Sequence, residues 1–224
     1  MKFGFIGCGN MGGAIARGVV KAAGGNQVLL ANKTLAKAEK LAKELSCTVG
    51  SNEDAALCEY VFLGVKPYLM ADMLEKIQPF LAQARPVLIT MAAGLTMERI
   101  REMSGGNYPV IRIMPNTPSA IGEGMIQYCT LDVSDAQEAE FLTAMAHCGR
   151  MDKIPENLID AASAVSGCGP AFAYMFIEAL ADGGVACGLP RAKAMEYAGQ
   201  MLQGSAKLFL ENGKHPGELK DAVC

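Results

Sequence analysis

Lys2-Phe3-Gly4-Phe5-Ile6-Gly7-Cys8-Gly9-Asn10-Met11-Gly12 decides the fold. A short apolar run, Lys2 to Ile6, enters a G-x-G-x-x-G turn. Behind it Met11, Ile15 and Val19 recur every four residues, the period of a helix from Asn10 to about Ala23. Gly7 permits a tight turn, Gly9 lets a pyrophosphate approach the backbone, and Gly12 lets helix and strand pack closely. The free N–H groups and positive end of the helix then face the phosphates. Glycine-rich turns are common, so the motif alone is weak. Here strand, helix and N-terminal position agree on a Rossmann-type dinucleotide site.

Outward from this unit, strand-like and helix-like stretches alternate. Gln27 to Ala31, Tyr60 to Val65 and Pro86 to Thr90 read as strands. Thr34 to Leu45 and Pro67 to Leu81 read as helices, with Thr34 as a cap. The βαβα order predicts an α/β fold, a doubly wound parallel sheet covered by helices on both faces. Val110 to Ile113 and Gly124 to Tyr128 add strands, and Ser134 to Ala146 a helix. Past Pro155 no strand remains, and 156–166, 170–186, 190–212 and 215–223 read as helical. The predicted organisation is therefore a dinucleotide-binding domain over 1–153 and an all-helical domain over 154–224. The tail helices are apolar and too few to close a private core, which points to packing against a second copy.

Composition narrows the classes. The 224 residues carry 51% apolar residues and a net charge of −3. That charge gives no electrostatic reason for nucleic acid or an anionic membrane as partner. The sequence reads as having no apolar run long enough for a membrane span, and its N-terminus is too short and interrupted for a signal peptide. The eight cysteines include no close pair, which disfavours a zinc site or a redox pair, so no metal is expected. A reducing cytoplasm is the simplest setting.

The nature of the dinucleotide is read after the second strand. An NAD site usually places an acid about 20 residues past the glycines. Here stand Asn32, Lys33 and Thr34, and no acid lies between Gly12 and Glu39. This favours NADP(H), with NAD(H) still usable; a solvated loop lysine is the alternative reading of Lys33. Val65-Lys66-Pro67 and Ala92-Ala93-Gly94 follow strands at the carboxyl edge, where ligands sit. Small residues at 92–94 would let a nicotinamide lie against backbone, though plain turns fit both segments.

Further motifs follow in order: Met114-Pro115-Asn116-Thr117-Pro118, Ser166-Gly167-Cys168-Gly169-Pro170-Ala171-Phe172, Ala181-Asp182-Gly183-Gly184-Val185, Gly188-Leu189-Pro190-Arg191 and His215-Pro216-Gly217-Glu218-Leu219-Lys220-Asp221. With Phe5 to Met11, Val65 to Pro67 and Met91 to Gly94, the set resembles the pyrroline-5-carboxylate reductase family over essentially the whole chain. The resemblance implies a Rossmann domain, a helical dimerisation domain, homodimers that can assemble into decamers, and reduction of (S)-1-pyrroline-5-carboxylate to L-proline by NAD(P)H. It implies cofactor contacts at Ile6, Gly7, Cys8, Gly9, Asn10, Met11, Asn32, Lys33, Asn52, Val65, Lys66, Pro67, Ala92, Ala93 and Gly94. It places Glu156, Ser166, Gly167, Cys168, Gly169 and Pro170 near the substrate. In the family a Ser-Pro-Gly-Gly-Thr loop follows the Leu-Lys-Asp segment and holds the substrate carboxylate. The sequence ends at Cys224 before that loop, which suggests a truncated chain with an incomplete substrate site.

The chemistry fits the residue types. A protonated cyclic imine accepts hydride at carbon without forming an alkoxide, so positioning matters more than a strong acid. Ketone reductases commonly supply Lys, His or Tyr to the developing alkoxide. The helix after Gly169 has no lysine, and neither histidine, His147 or His215, falls in the glycine motifs. This argues against a 3-hydroxyacid dehydrogenase, the competing enzyme reading. A non-catalytic NADP-sensing protein is the competing reading of another class. Asn116, between two prolines, either shapes the site or serves only a turn. Cys168 has no histidine beside it to act as a nucleophile, and no catalytic residue is assigned.

Overall fold

The computed structural model describes all residues, 1–224. Eight strands, β1 (Phe3–Ile6), β2 (Val28–Ala31), β3 (Thr48–Val49), β4 (Tyr60–Leu63), β5 (Val87–Thr90), β6 (Val110–Met114), β7 (Gly124–Leu131) and β8 (Gly149–Lys153), form one sheet. Their order is β3-β2-β1-β4-β5-β6-β7-β8. Pairing is parallel except between β6 and β7. The first six strands have the Rossmann order, whose reversal beside β1 opens a crevice at the carboxyl edge.

Both faces are covered. Helices α1 (Asn10–Ala23), α2 (Leu35–Leu45) and α6 (Asp135–Ala144) bury one face, where Phe5, Ile15, Leu30, Leu41, Phe62 and Phe141 meet. Helices α3 (Asn52–Ala56), α4 (Met70–Ala84), α5 (Met97–Ser104) and α7 (Ile159–Ser166) bury the other around Leu63, Leu74, Ile77, Ile100 and Ile159. Strands buried on both faces read as unbroken apolar runs rather than alternation, which is why β1, β2, β4 and β5 stood out in sequence.

Glycines set the spacing of β1, α1 and β4. Gly7 has φ +100°, and a Cβ on Gly12 would stand 2.1 Å from the Gly7 carbonyl oxygen. A Cβ on Gly64, just past β4, would stand 2.4 Å from the same oxygen. Gly12→Ala is therefore expected to lower stability by about 2 kcal/mol or more through overpacking. Urea unfolding checks this.

The chain divides into two compact units, Met1–Cys168 and Gly169–Cys224. The division falls later than the change of pattern near residue 153. The reason is α7: although helical, it buries Ile159 against the sheet and belongs to the first unit. The second unit holds α8 (Gly169–Ala186), α9 (Arg191–Asn212) and α10 (Pro216–Asp221). Only three of its apolar side chains are buried, Ala181, Ala194 and Ala198, while Phe172, Tyr174, Met175 and Phe176 are half or more exposed.

The run Glu156–Ala186 is, by length and composition, apolar enough to cross a membrane, and 6% of it is buried. This corrects the sequence reading that no such run exists. Gly and Ala fill much of this stretch and break its visible apolar pattern. Its first third is nonetheless fixed to the sheet through Ile159 and Ser166.

Candidate active site

The carboxyl ends of the central strands line up. Ile6 pairs with Ala31 and with Leu63, Leu63 with Thr90, and Thr90 with Arg112. The segments that follow are therefore neighbours on one edge: Gly7–Gly12, Asn32–Thr34, Val65–Pro67, Ala92–Gly94 and Pro115–Asn116. Asn52 opens α3 just after β3, at the same edge.

The glycine loop is bare and electropositive. The N-cap of α1 is Gly9, no side chain caps the helix, and its first turn has no acid. The N–H groups of that turn are free by helix geometry. A Cβ built on Gly9 meets nothing within 4 Å, so the space above it belongs to whatever binds. A cleft of about 330 Å³ beside the loop is lined by Gly9, Asn10, Gly13, Arg17, Lys37 and Lys40, among others. Arg17 is paired with Glu44.

Asn32 braces the loop. Its Oδ1 accepts from the Cys8 backbone N–H at 3.0 Å, and its Nδ2 donates to the Thr34 carbonyl at 3.0 Å. Lys33 beside it is exposed. Cys8 is buried, its Sγ lies 3.5 Å from the Ala31 carbonyl, and burial pushes its thiol up to about 12. It is a neutral, packed side chain. Helix α3 behind Asn52 carries its own cap, with Ser51 and Asp54 bonding each other reciprocally. Hydrogen bonds from Ser51, the backbone N–H first, hold the Asp54 carboxyl below its ordinary range.

Lys66 and Pro67 are exposed and Val65 is half-buried. The Ala92–Gly94 turn is held by the Ala92 N–H, which donates to Thr90 Oγ1 at 3.3 Å, and Gly94 has φ +75°. Thr90 is wholly buried.

Asn116 joins three segments. It is 8% exposed, its Nδ2 donates to the Ser166 carbonyl at 3.0 Å, and its Oδ1 accepts from the Met125 N–H at 3.0 Å. The Ser166-Gly167-Cys168 turn is thus brought beside the loop after β6, with Cys168 exposed. Gly169 and Pro170 open α8 and belong to the second unit. Glu156 is tied down: its Oε1 accepts from the Met97 N–H at 2.8 Å and from Arg112 at 3.2 Å. His147 lies exposed in the turn after α6, and His215 caps α10 by accepting from the Gly217 N–H at 3.1 Å.

Sequence reading missed Gly64, Thr90, Arg112 and Gln127. The last two were visible as lone polar residues inside apolar strands, Val110-Ile111-Arg112-Ile113-Met114 and Ile126-Gln127-Tyr128-Cys129.

Comparison with known proteins agrees with this geometry. Residues 156–224 match the family model described as pyrroline-5-carboxylate reductase dimerisation. Residues 2–94 match one described as NADP oxidoreductase coenzyme F420-dependent. The pyrroline-5-carboxylate reductase of Escherichia coli is 37% identical over 230 residues, covering 100% of this chain and 84% of the relative. Human pyrroline-5-carboxylate reductase 2 is 37% identical over 239 residues, covering 100% and 72%. Among solved structures, the Plasmodium falciparum pyrroline carboxylate reductase with NADP bound has a TM-score of 0.88 at 31% identity, covering 100% and 84%. The Streptococcus pyogenes 1-pyrroline-5-carboxylate reductase has 0.89 at 30%, covering 100% and 85%. With the glycine loop, the bare first turn of α1 and the Asn116–Ser166 tie all in place, the chain belongs to the pyrroline-5-carboxylate reductase family.

Proposed function

We propose that the chain reduces (S)-1-pyrroline-5-carboxylate to L-proline with NADPH, working as a homodimer built through α8 and α9. The observation that carries this reading is the bare glycine loop in a chain of this family: an open Gly9 before a helix without cap or acid fits a diphosphate. Bound at that edge, the reduced nicotinamide supplies the hydride. The chain's own part is placement. Ala92, Ala93 and Gly94 present backbone without bulk to the ring, and the Asn116-tied turn Ser166–Cys168 stands where the imine would be held, with Gly169 and Pro170 continuing it. Val65, Lys66, Pro67 and Asn52 complete the cofactor edge. No alkoxide forms, and α8 offers no lysine for one.

Lys33 is proposed to read the 2′-phosphate of NADPH, with Asn32 holding the loop that presents it. Lys33→Glu is expected to weaken NADPH by about 10- to 100-fold, the worth of one or two hydrogen bonds to a charged group. NADH affinity should change by less than about threefold. Fluorescence titration with both dinucleotides checks this, and equal losses would remove Lys33 from the role.

The exposed apolar side chains of α8 are proposed to face a second copy rather than lipid. Helix α8 has 18 residues, about 27 Å at 1.5 Å each, and carries Glu178 and Asp182. Dimers of this kind could associate further into decamers. A reducing cytoplasm is proposed as the setting, on the scattered spacing of the eight cysteines.

The test is turnover. With pyrroline-5-carboxylate present, NADPH absorbance at 340 nm should fall and proline should accumulate in equal amount. Absence of proline with NADPH bound would overturn the substrate assignment.

A further inference from the structure

The face of β6 and β7 under α7 carries polar side chains where apolar ones would pack. Arg112 is 3% exposed. Its Nη1 donates to Glu156 Oε1 at 3.2 Å and its Nη2 to Asp160 Oδ1 at 3.0 Å, while its Nε is buried without an acceptor. Glu156 Oε1 also accepts from the Met97 N–H, so the turn leading into α7 is tied at once to β6 and α5, while Asp160 ties the first turn of α7 to β6. At the other end, Ser166 Oγ has Gln127 Oε1 at 3.0 Å and the Ala162 carbonyl at 3.1 Å as acceptors, and Gln127 is 5% exposed. Asn116 holds the Ser166 carbonyl. Arg112 and Gln127 lie on adjacent strands, with Arg112 opposite Cys129 and Met114 opposite Gln127.

Stability alone gives no reason for this choice. Burying an arginine or an amide is costly unless every group is satisfied, and apolar residues of similar size often hold such a position as well or better. Apolar contacts such as that of Ile159 hold α7 on the sheet but are non-directional. The bonds at both ends are directional: the guanidinium pins its start against β6, and the amide pins its last residue against β7. The last residue of α7 begins the turn that the proposed function puts beside the imine.

We propose that Arg112 and Gln127 are positioning residues that set where the Ser166-Gly167-Cys168 turn stands at the carboxyl edge, and through it the turnover of the reduction. The kinetic half rests on the function proposed above; the structural half does not.

Gln127→Leu, Gln127→Glu and Arg112→Met, each in the full chain, test it with two readouts. Gln127→Leu is expected to lower kcat about tenfold or more, since small misplacements at a reacting centre are that costly, with the NADPH dissociation constant within about twofold of wild type. Gln127→Glu, which burial would hold as the neutral acid and which then keeps a carbonyl oxygen for Ser166, should recover most of kcat at about pH 6. Amide exchange over residues 159–168 should rise about tenfold in Gln127→Leu and Arg112→Met, with residues 3–31 unchanged. Unchanged exchange over 159–168 in both variants would overturn the proposal. So would a kcat loss in Gln127→Leu that is matched by equal loss of NADPH affinity and thermal midpoint and is not recovered by Gln127→Glu. If the wild-type chain itself fails to reduce the imine, the function is wrong, and exchange alone decides whether these ties hold the turn.

Discussion

Gly9→Val should leave the fold intact and abolish useful dinucleotide binding. Gly9 has φ −71° and ψ −165°, backbone that any residue adopts. Its Cβ position meets no protein atom within 4 Å. A valine there should therefore move the thermal midpoint by less than about 3 °C, as a surface substitution does. The side chain would instead fill the space above the free N–H groups of α1, where a pyrophosphate must lie for this loop to work. A clash of about 3 kcal/mol would weaken NADPH roughly 100-fold. Calorimetric titration and thermal unfolding measured together separate this from Gly12→Ala, in which stability falls because the new methyl meets the Gly7 carbonyl. Full NADPH affinity in folded Gly9→Val would show that the diphosphate lies elsewhere.

Phe176→Glu should dismantle the assembly. Phe176 and its neighbours Phe172 and Met175 are more than half exposed on α8, while only alanines are buried in the whole second unit. A unit with so little core of its own needs a partner to cover it. A carboxylate placed in that contact would be buried without a counter-charge, which costs several kcal/mol per copy. Light scattering is expected to give a mass of 23.6 kDa times two or more for wild type and the single-chain mass, or aggregates, for the variant. An unchanged oligomer would show that this side of α8 lies outside the interface.

Most of the sheet was legible because its strands are buried on both faces and bounded by turns. The helix expected from Asn10 to about Ala23 spans Asn10–Ala23, its start marked by the glycine motif and its length by the four-residue apolar period. The short β3 and α3 were missed: two and five residues show no period. Helix α5 was missed although Thr96 caps it by accepting from the Arg99 N–H. Its charged, short sequence buries only Met97, Ile100 and Ser104, and just the first two of these are apolar. Strand β8 escaped because Gly149-Arg150-Met151-Asp152-Lys153 is a half-exposed edge strand with polar residues on it. For the site, the glycines and edge segments could be read because their backbone requirements leave a mark in the sequence. The role of Asn32 as a brace for Cys8 could not, since the sequence shows an amide in a loop and not what it bonds. The same holds for Glu156, which in the structure serves Met97 and Arg112 rather than standing free.

The measurement that bears most directly on the account follows one hydrogen. NADPH carrying deuterium at the transferable position of the nicotinamide is given to the chain with pyrroline-5-carboxylate, and the proline formed is examined by mass spectrometry and NMR. The account predicts one deuterium per proline, on the former imine carbon and on a single face of the ring. Proline without deuterium, or label scattered over both faces, would contradict it.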